Sequence, residues 1–219
     1  GVDGDAITVP SWRGDVAHYS DLAEEVARFY GYNQIPTTAM RGMTKGGVTA
    51  VIKHFPGHGN TASDSHLGIP VNDTPKEVLE KTEFAPFKTA IEAGAEALLT
   101  AHVRYTSVDA ENPATLSKTI MTDMLRDEWG FDGLVLTDCL EMDAVRAAYG
   151  IGEGAVRAIE AGADILTISH TYGALQEAAE AIYSALESGR LTAERMLLSW
   201  QRFRPSPPRQ RLSTRSQAS

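Results

Sequence analysis

The densest run of chemically able side chains is Lys53-His54-Phe55-Pro56-Gly57-His58-Gly59-Asn60-Thr61-Ala62-Ser63-Asp64-Ser65-His66, with three histidines, a lysine and an acid among its glycines. Core packing does not select that composition, whereas a functional loop on a rigid scaffold does. On an extended segment, Asp64 and His66 point to the same side. The carboxylate then accepts from one ring nitrogen and fixes the tautomer, leaving the other nitrogen to give or take a proton. The bland alternative is a solvated His66. Lys53 and His54, ending a strand, either bond the hydroxyls of a substrate or pair with a structural acid. A zinc site built from His54, His58, Asp64 and His66 is a rival reading, although no short zinc-binding spacing is present. The glycines lack the spacing of a phosphate-binding loop, which argues against nucleotide binding.

The second pole is Asp138, at the end of Gly133-Leu134-Val135-Leu136-Thr137-Asp138. A carboxylate there costs several kcal/mol of desolvation if left unpaired, so it is expected to have a partner or a task. Cys139 reads as a small packed residue, and Glu141 and Asp143 as exposed.

These residues need elements to hold them. From residue 48 the chain alternates short apolar runs with longer helical patterns, which predicts βα units on a parallel sheet. The strands are expected at Val48 to His54, Ala97 to Val103, Gly133 to Asp138 and Asp164 to Ser169. Each runs into a polar or ionisable residue: Lys53-His54, His102, Asp138 and Ser169-His170. In βα barrels that end carries the chemistry, so the four endings predict one shared face. Thr74 with Pro75 and Glu77 reads as a capping box, Ser117 and Thr192 as further caps, and Gly94 and Gly162 as left-handed helix ends.

The chain has 219 residues, a net charge of -9 and a pI near 5.1, which argues against a broadly basic nucleic-acid or membrane surface. One cysteine cannot form an intramolecular disulfide, and no long apolar run or leader pattern is seen, so a cytoplasmic protein is expected. Residues 204–219 hold four arginines and no acid, and read as a disordered basic tail.

The string Lys53-His54-Phe55-Pro56-Gly57-His58-Gly59 with Asp64-Ser65-His66 and Pro70 resembles the signature of family 3 glycoside hydrolases of the β-N-acetylglucosaminidase type. The likeness continues through Pro86-Phe87, Ala101-His102, Pro113-Ala114-Thr115-Leu116-Ser117, Gly130-Phe131-Asp132-Gly133, Thr137-Asp138 and Ala161-Gly162-Ala163-Asp164, over residues of about 48–203. The resemblance implies a (β/α)8 barrel, retention of anomeric configuration, Asp138 as nucleophile and His66 assisted by Asp64 as acid/base. Lys53, His54 and His102 are the expected substrate-binding residues. The implied substrate is an N-acetylglucosamine-containing glycoside or a muropeptide, as in peptidoglycan recycling, with no cofactor. A phosphorylase is a minor variant, because a neutral acid/base partner repels phosphate less than a carboxylate would.

Residues of about 3–38, including Val9-Pro10-Ser11-Trp12-Arg13 and the amphipathic stretch Asp21 to Tyr30, resemble instead a fragment of the phenylalanyl-tRNA synthetase β subunit. The expected organisation is therefore an unrelated segment 1–46, the C-terminal half of a (β/α)8 barrel at 47–203 with four βα units, and the tail. Such a half barrel is expected to self-associate through exposed strand edges and to have weak or no activity. A metal-dependent hydrolase and a noncatalytic fusion protein remain the alternatives.

Overall fold

The structure, a computed structural model, describes residues 49–59, 61 and 68–203, together with Met43 and the segments Val2–Asp3 and Ala6–Ile7. The chain divides into two compact units, Gly1–Gly47 and Val48–Ser219. In the first, β1 (Val2–Asp3) pairs antiparallel with β2 (Ala6–Ile7). The predicted helix from Asp21 to Tyr30 and the tail after Phe203 lie outside the described residues.

The second unit is built on four parallel strands, β3 (Val51–Phe55), β5 (Ala97–Thr100), β7 (Leu134–Cys139) and β8 (Ile165–Thr167), side by side in that order. A small parallel pair, β4 (Val71–Asn72) with β6 (Arg104–Tyr105), lies outside this sheet. Helices follow each main strand: α1 (Lys76–Leu79) and α2 (Phe84–Glu92) after β3, and a π-type helix, Thr119–Glu128, after β5. After β7 come α3 (Asp143–Tyr149) and α4 (Ile151–Ala161), and after β8 come α5 (Tyr172–Glu187) and α6 (Ala193–Phe203). The repeated strand-helix order is the α/β architecture that the sequence predicts. The strands are shorter than expected, except that β3 runs on to Phe55 and β7 to Cys139.

The sheet has two unlike faces. Ile52, Leu98 and Val135 share a row and join the main core with Phe55, Phe84, Phe87, Ile120, Met121 and Leu125. Edge-on aromatic contacts fix that core: the Phe55 ring lies 5.4 Å from Phe87 and 5.7 Å from Trp129, centre to centre. Phe55 is thus a buried anchor directly after His54. The opposite row, Lys53, Leu99 and Leu136, is less buried, and along β7 burial alternates strictly, which puts Asp138 on that same face.

Two caps hold as expected. Ser117 Oγ accepts from the Ile120 N–H at 3.1 Å and Thr192 Oγ1 from the Arg195 N–H at 3.2 Å. Gly94 and Gly162 have φ of 89° and 127°, as their places at helix ends predict. Thr74 is a correction. Helix α1 begins after Pro75, whose carbonyl takes the Val78 and Leu79 N–H groups, so the cap falls one residue later. Thr74 is occupied in a turn instead: its N–H donates to Asn72 Oδ1 and its carbonyl accepts from Ser107 Oγ.

Candidate active site at the C-terminal rim of the sheet

Two register shifts shape the site. Lys53 pairs with Leu99, yet Phe55 pairs with Thr100, so His54 is an extra residue bulged from β3. Strict alternation would turn His54 away from Lys53; the bulge turns it back toward the β7 end. In β7, Leu136 pairs with Ile165 but Cys139 with Thr167, so the ladder slips around Asp138. Side-chain bonds fill the gap: Thr137 Oγ1 accepts from the Thr167 N–H at 2.9 Å and the Thr137 carbonyl from Thr167 Oγ1 at 2.8 Å.

The result is a contact between the two poles. His54 Nε2 lies 3.7 Å from Asp138 Oδ2, with the two side chains 31% and 28% exposed. That is an electrostatic approach rather than a hydrogen bond. Asp138 is oriented by the Cys139 N–H, which donates to its Oδ1 at 2.8 Å. Burial holds the His54 pKa below its ordinary value, aided by the Lys53 charge and opposed by Asp138. At neutral pH His54 is therefore an uncharged imidazole beside a partly open carboxylate. Lys53 is exposed.

The start of the histidine-rich loop is pinned. The Tyr105 hydroxyl donates to the Gly57 carbonyl, and Gly57 adopts φ of 126° with room for no Cβ, since one would come within 2.7 Å of Glu83 Cβ. His58 lies edge-on to His54, ring centres 6.0 Å apart. Asp64 and His66 lie outside the described residues, and with them half of the suggested His54/His58/Asp64/His66 metal set.

His102, expected to touch substrate, is 2% exposed with both ring nitrogens engaged. Nε2–H donates to the Cys139 carbonyl at 2.9 Å, and Nδ1 lies 2.8 Å from Thr115 Oγ1. A carbonyl only accepts, so the proton belongs on Nε2, while Nδ1 faces a Thr115 hydroxyl that itself donates to the Ala101 carbonyl at 2.9 Å; burial lowers the pKa of the ring. Thr100 Oγ1, 2.9 Å from Thr115 Oγ1, extends the chain. His102 thus holds the backbone just past Asp138 from behind. Its place at a strand end is shared with Lys53 and His54, but its ring is buried and bonded to Thr115 and the Cys139 carbonyl.

Glu141 is the residue that the sequence undervalued. It was expected to be exposed, and Oε2 accepts from the His170 N–H at 2.7 Å and the Ser169 N–H at 2.9 Å. These bonds, that from His170 foremost, pull its pKa down to about 2. The carboxylate therefore ties the loop after β8 to the loop after β7. Its position three residues past Asp138 was the available signal. Asp143 pairs with Arg146 at 2.6 Å on the surface of α3.

The chain is similar to known proteins. The family described as "Glycosyl hydrolase family 3 N terminal domain" matches residues 10–204. A beta-hexosaminidase of Tolumonas auensis is 39% identical over 134 residues, which is 61% of this chain and 40% of that relative. A family 3 beta-N-acetylglucosaminidase from Paenibacillus sp. superposes with a TM-score of 0.74 at 48% identity, covering 76% of this chain and 32% of that one. The beta-glucoside phosphorylase BglX superposes at 0.68 with 34% identity, covering 74% and 30%. The chain thus spans well under half the length of these relatives. The family match already begins inside the segment that resembles the synthetase, and that second resemblance finds no support in the comparisons. Among the described residues no helix is long and apolar enough to cross a membrane. With a parallel α/β sheet, a carboxylate at its C-terminal rim and a family match over most of its length, the chain belongs to glycosyl hydrolase family 3.

Proposed function

We propose that the chain carries the nucleophile side of a retaining β-N-acetylglucosaminidase, with the sheet β3-β5-β7-β8 as four successive units of a (β/α)8 barrel. The observation that carries this is the placement of Asp138: a partly open carboxylate at a bulged strand end, oriented by a backbone N–H, with His54 beside it. In the proposed reaction Asp138 attacks the anomeric carbon and the glycosidic C–O bond breaks. His66, protonated and assisted by Asp64, gives its proton to the leaving oxygen. Water then attacks the glycosyl-enzyme, His66 takes the water proton, and Asp138 is released.

Lys53 and His54 are assigned to the sugar hydroxyls, because the β3 bulge turns both toward the Asp138 face. His102 supports the nucleophile's backbone. The proposed substrate is a terminal β-linked N-acetylglucosaminide, of which a muropeptide is one form. The test is release of chromophore from an N-acetyl-β-glucosaminide by the purified chain, beside an Asp138→Ala control. Release that vanishes in the control is expected. Equal release from both would remove Asp138 from the mechanism, and none from a folded parent would show that these residues do not suffice alone. A second reading, phosphorolysis, is favoured by the likeness to BglX; formation of a sugar 1-phosphate when phosphate is supplied decides it.

A further inference from the structure

A second group of chemically able side chains converges beside the first. Cys139, Glu141 and His170 each offer one donor atom, and the three atoms lie within 4.8 Å of one another. Cys139 ends β7, Glu141 follows in the next turn, and His170 comes three residues after β8. They are brought together by the same carboxylate that clamps the two loops, since Glu141 takes the Ser169 and His170 N–H groups while Cys139 Sγ lies 3.7 Å from its Oε2. Ser169 Oγ stands 3.3 Å from the sulfur. A pocket of about 210 Å³ opens alongside, lined by Glu141, Met142, Asp143 and His170.

We propose that Cys139, Glu141 and His170 form a binding site for a thiophilic divalent cation of the zinc type. The donor set is one sulfur, one imidazole nitrogen and one carboxylate oxygen, which suits zinc and not calcium or magnesium, whose ligands are oxygens. Zinc bonds of about 2.0–2.3 Å at tetrahedral angles place neighbouring donors about 3.3–3.7 Å apart. The sulfur and the Glu141 oxygen already have that spacing, at 3.7 Å. His170 is exposed, so its ring can close the remaining gap by rotation about its side-chain bonds. Cysteine ligates a metal as the thiolate, so binding displaces the Cys139 thiol proton. Binding is thus Cys–SH plus M²⁺ giving Cys–S–M⁺ plus H⁺, and affinity rises with pH. Three protein ligands leave a fourth position open to water, an anion or Ser169. Because Cys139 directly follows Asp138, an occupied site would tie down the backbone that carries the nucleophile and slow any glycosidase reaction there. The site itself stands on its own geometry and does not need that reaction.

Cobalt(II) is the probe. Cys139 is the sole cysteine, so a thiolate-to-cobalt charge-transfer band in the purified chain reports this site and no histidine-only site. The expected result is a band that saturates near one cobalt per chain, is displaced by zinc, and persists in Asp138→Asn. His170→Gln, which changes an exposed side chain, and Glu141→Gln should each weaken cobalt binding by about 10-fold or more. No band in the folded parent, or a band with unchanged affinity in the His170→Gln variant, would overturn the proposal.

Discussion

Two aspartates mark opposite ends of one sheet, and the chain surrounds them differently. Asp164, just before β8, has a fully buried side chain. Its oxygens take Arg126 at 2.7 Å, Ser199 at 2.7 Å, Arg202 at 3.2 Å and the Val135 N–H at 3.0 Å, with Arg195 at 3.7 Å. Asp138, at the far end of β7, keeps 28% of its side chain open and, among the described residues, has one backbone donor and an uncharged imidazole nearby. The first carboxylate is saturated with cations and joins helices to the base of the sheet; the second, among the described residues, keeps lone pairs available. In βα folds the C-terminal ends of strands carry chemistry and the N-terminal ends carry stability, and here the partners of each acid show why.

The comparison predicts that the two acids fail in different assays. On the proposed function, Asp138→Asn should cut any glycosidase turnover of the chain by about 10⁴-fold or more, while the unfolding free energy from urea stays within about 0.5 kcal/mol of the parent. A large loss of stability instead would mean that Asp138 is structural. Asp164→Ala should do the reverse. It leaves Arg126, only 10% exposed and already pushed down to about 10 by burial, without its counter-charge. Removing one partner of such a buried pair costs about 3–5 kcal/mol, read from urea unfolding. If the cost is below about 1 kcal/mol, the arginine cluster is better solvated than its geometry indicates.

Between these extremes lies His102. His102→Ala removes a buried donor from the Cys139 carbonyl, which keeps the Met142 N–H, and should cost about 0.5–1.5 kcal/mol of stability. Because the lost bond orients the backbone after Asp138, turnover should fall with little change in KM. A rise in KM at unchanged turnover would restore His102 to the substrate-binding set.

How much of this contrast was legible beforehand follows from what each feature depends on. The four strands and their polar ends follow from local apolar runs, and the Ser117 and Thr192 caps from residue type, so sequence suffices for them. Asp138 was visible as an acid ending a buried strand. The bulges were not, because a one-residue register slip is settled by neighbouring strands and leaves no mark in composition. His54 was therefore expected at this strand end for an incomplete reason, and the burial of His102 behind Cys139 left no mark in the sequence. The Asp164 cluster left a fainter trace: Arg195, Ser199 and Arg202 recur at helical spacing along α6. Only the fold shows that this stripe meets a buried acid.

The smallest effect separates the two histidines of the rim from the acids. Both His54 and His102 are held below the ordinary value of 6.5, burial being the largest cause for each. In the unfolded chain the same imidazoles titrate near 6.5. As pH falls through that value, the unfolded state binds protons that the folded state refuses, so its free energy drops and stability is lost. Above 6.5 both states are neutral and the contribution is constant. Urea midpoints measured from pH 8 down to pH 5 should therefore be flat at first and then decline, and His102→Gln should make the decline shallower. A midpoint that rises on acidification through 6.5 would mean that these imidazoles are charged in the folded chain. Asp138 would then hold a salt bridge to His54, and the contrast with Asp164 would be one of degree.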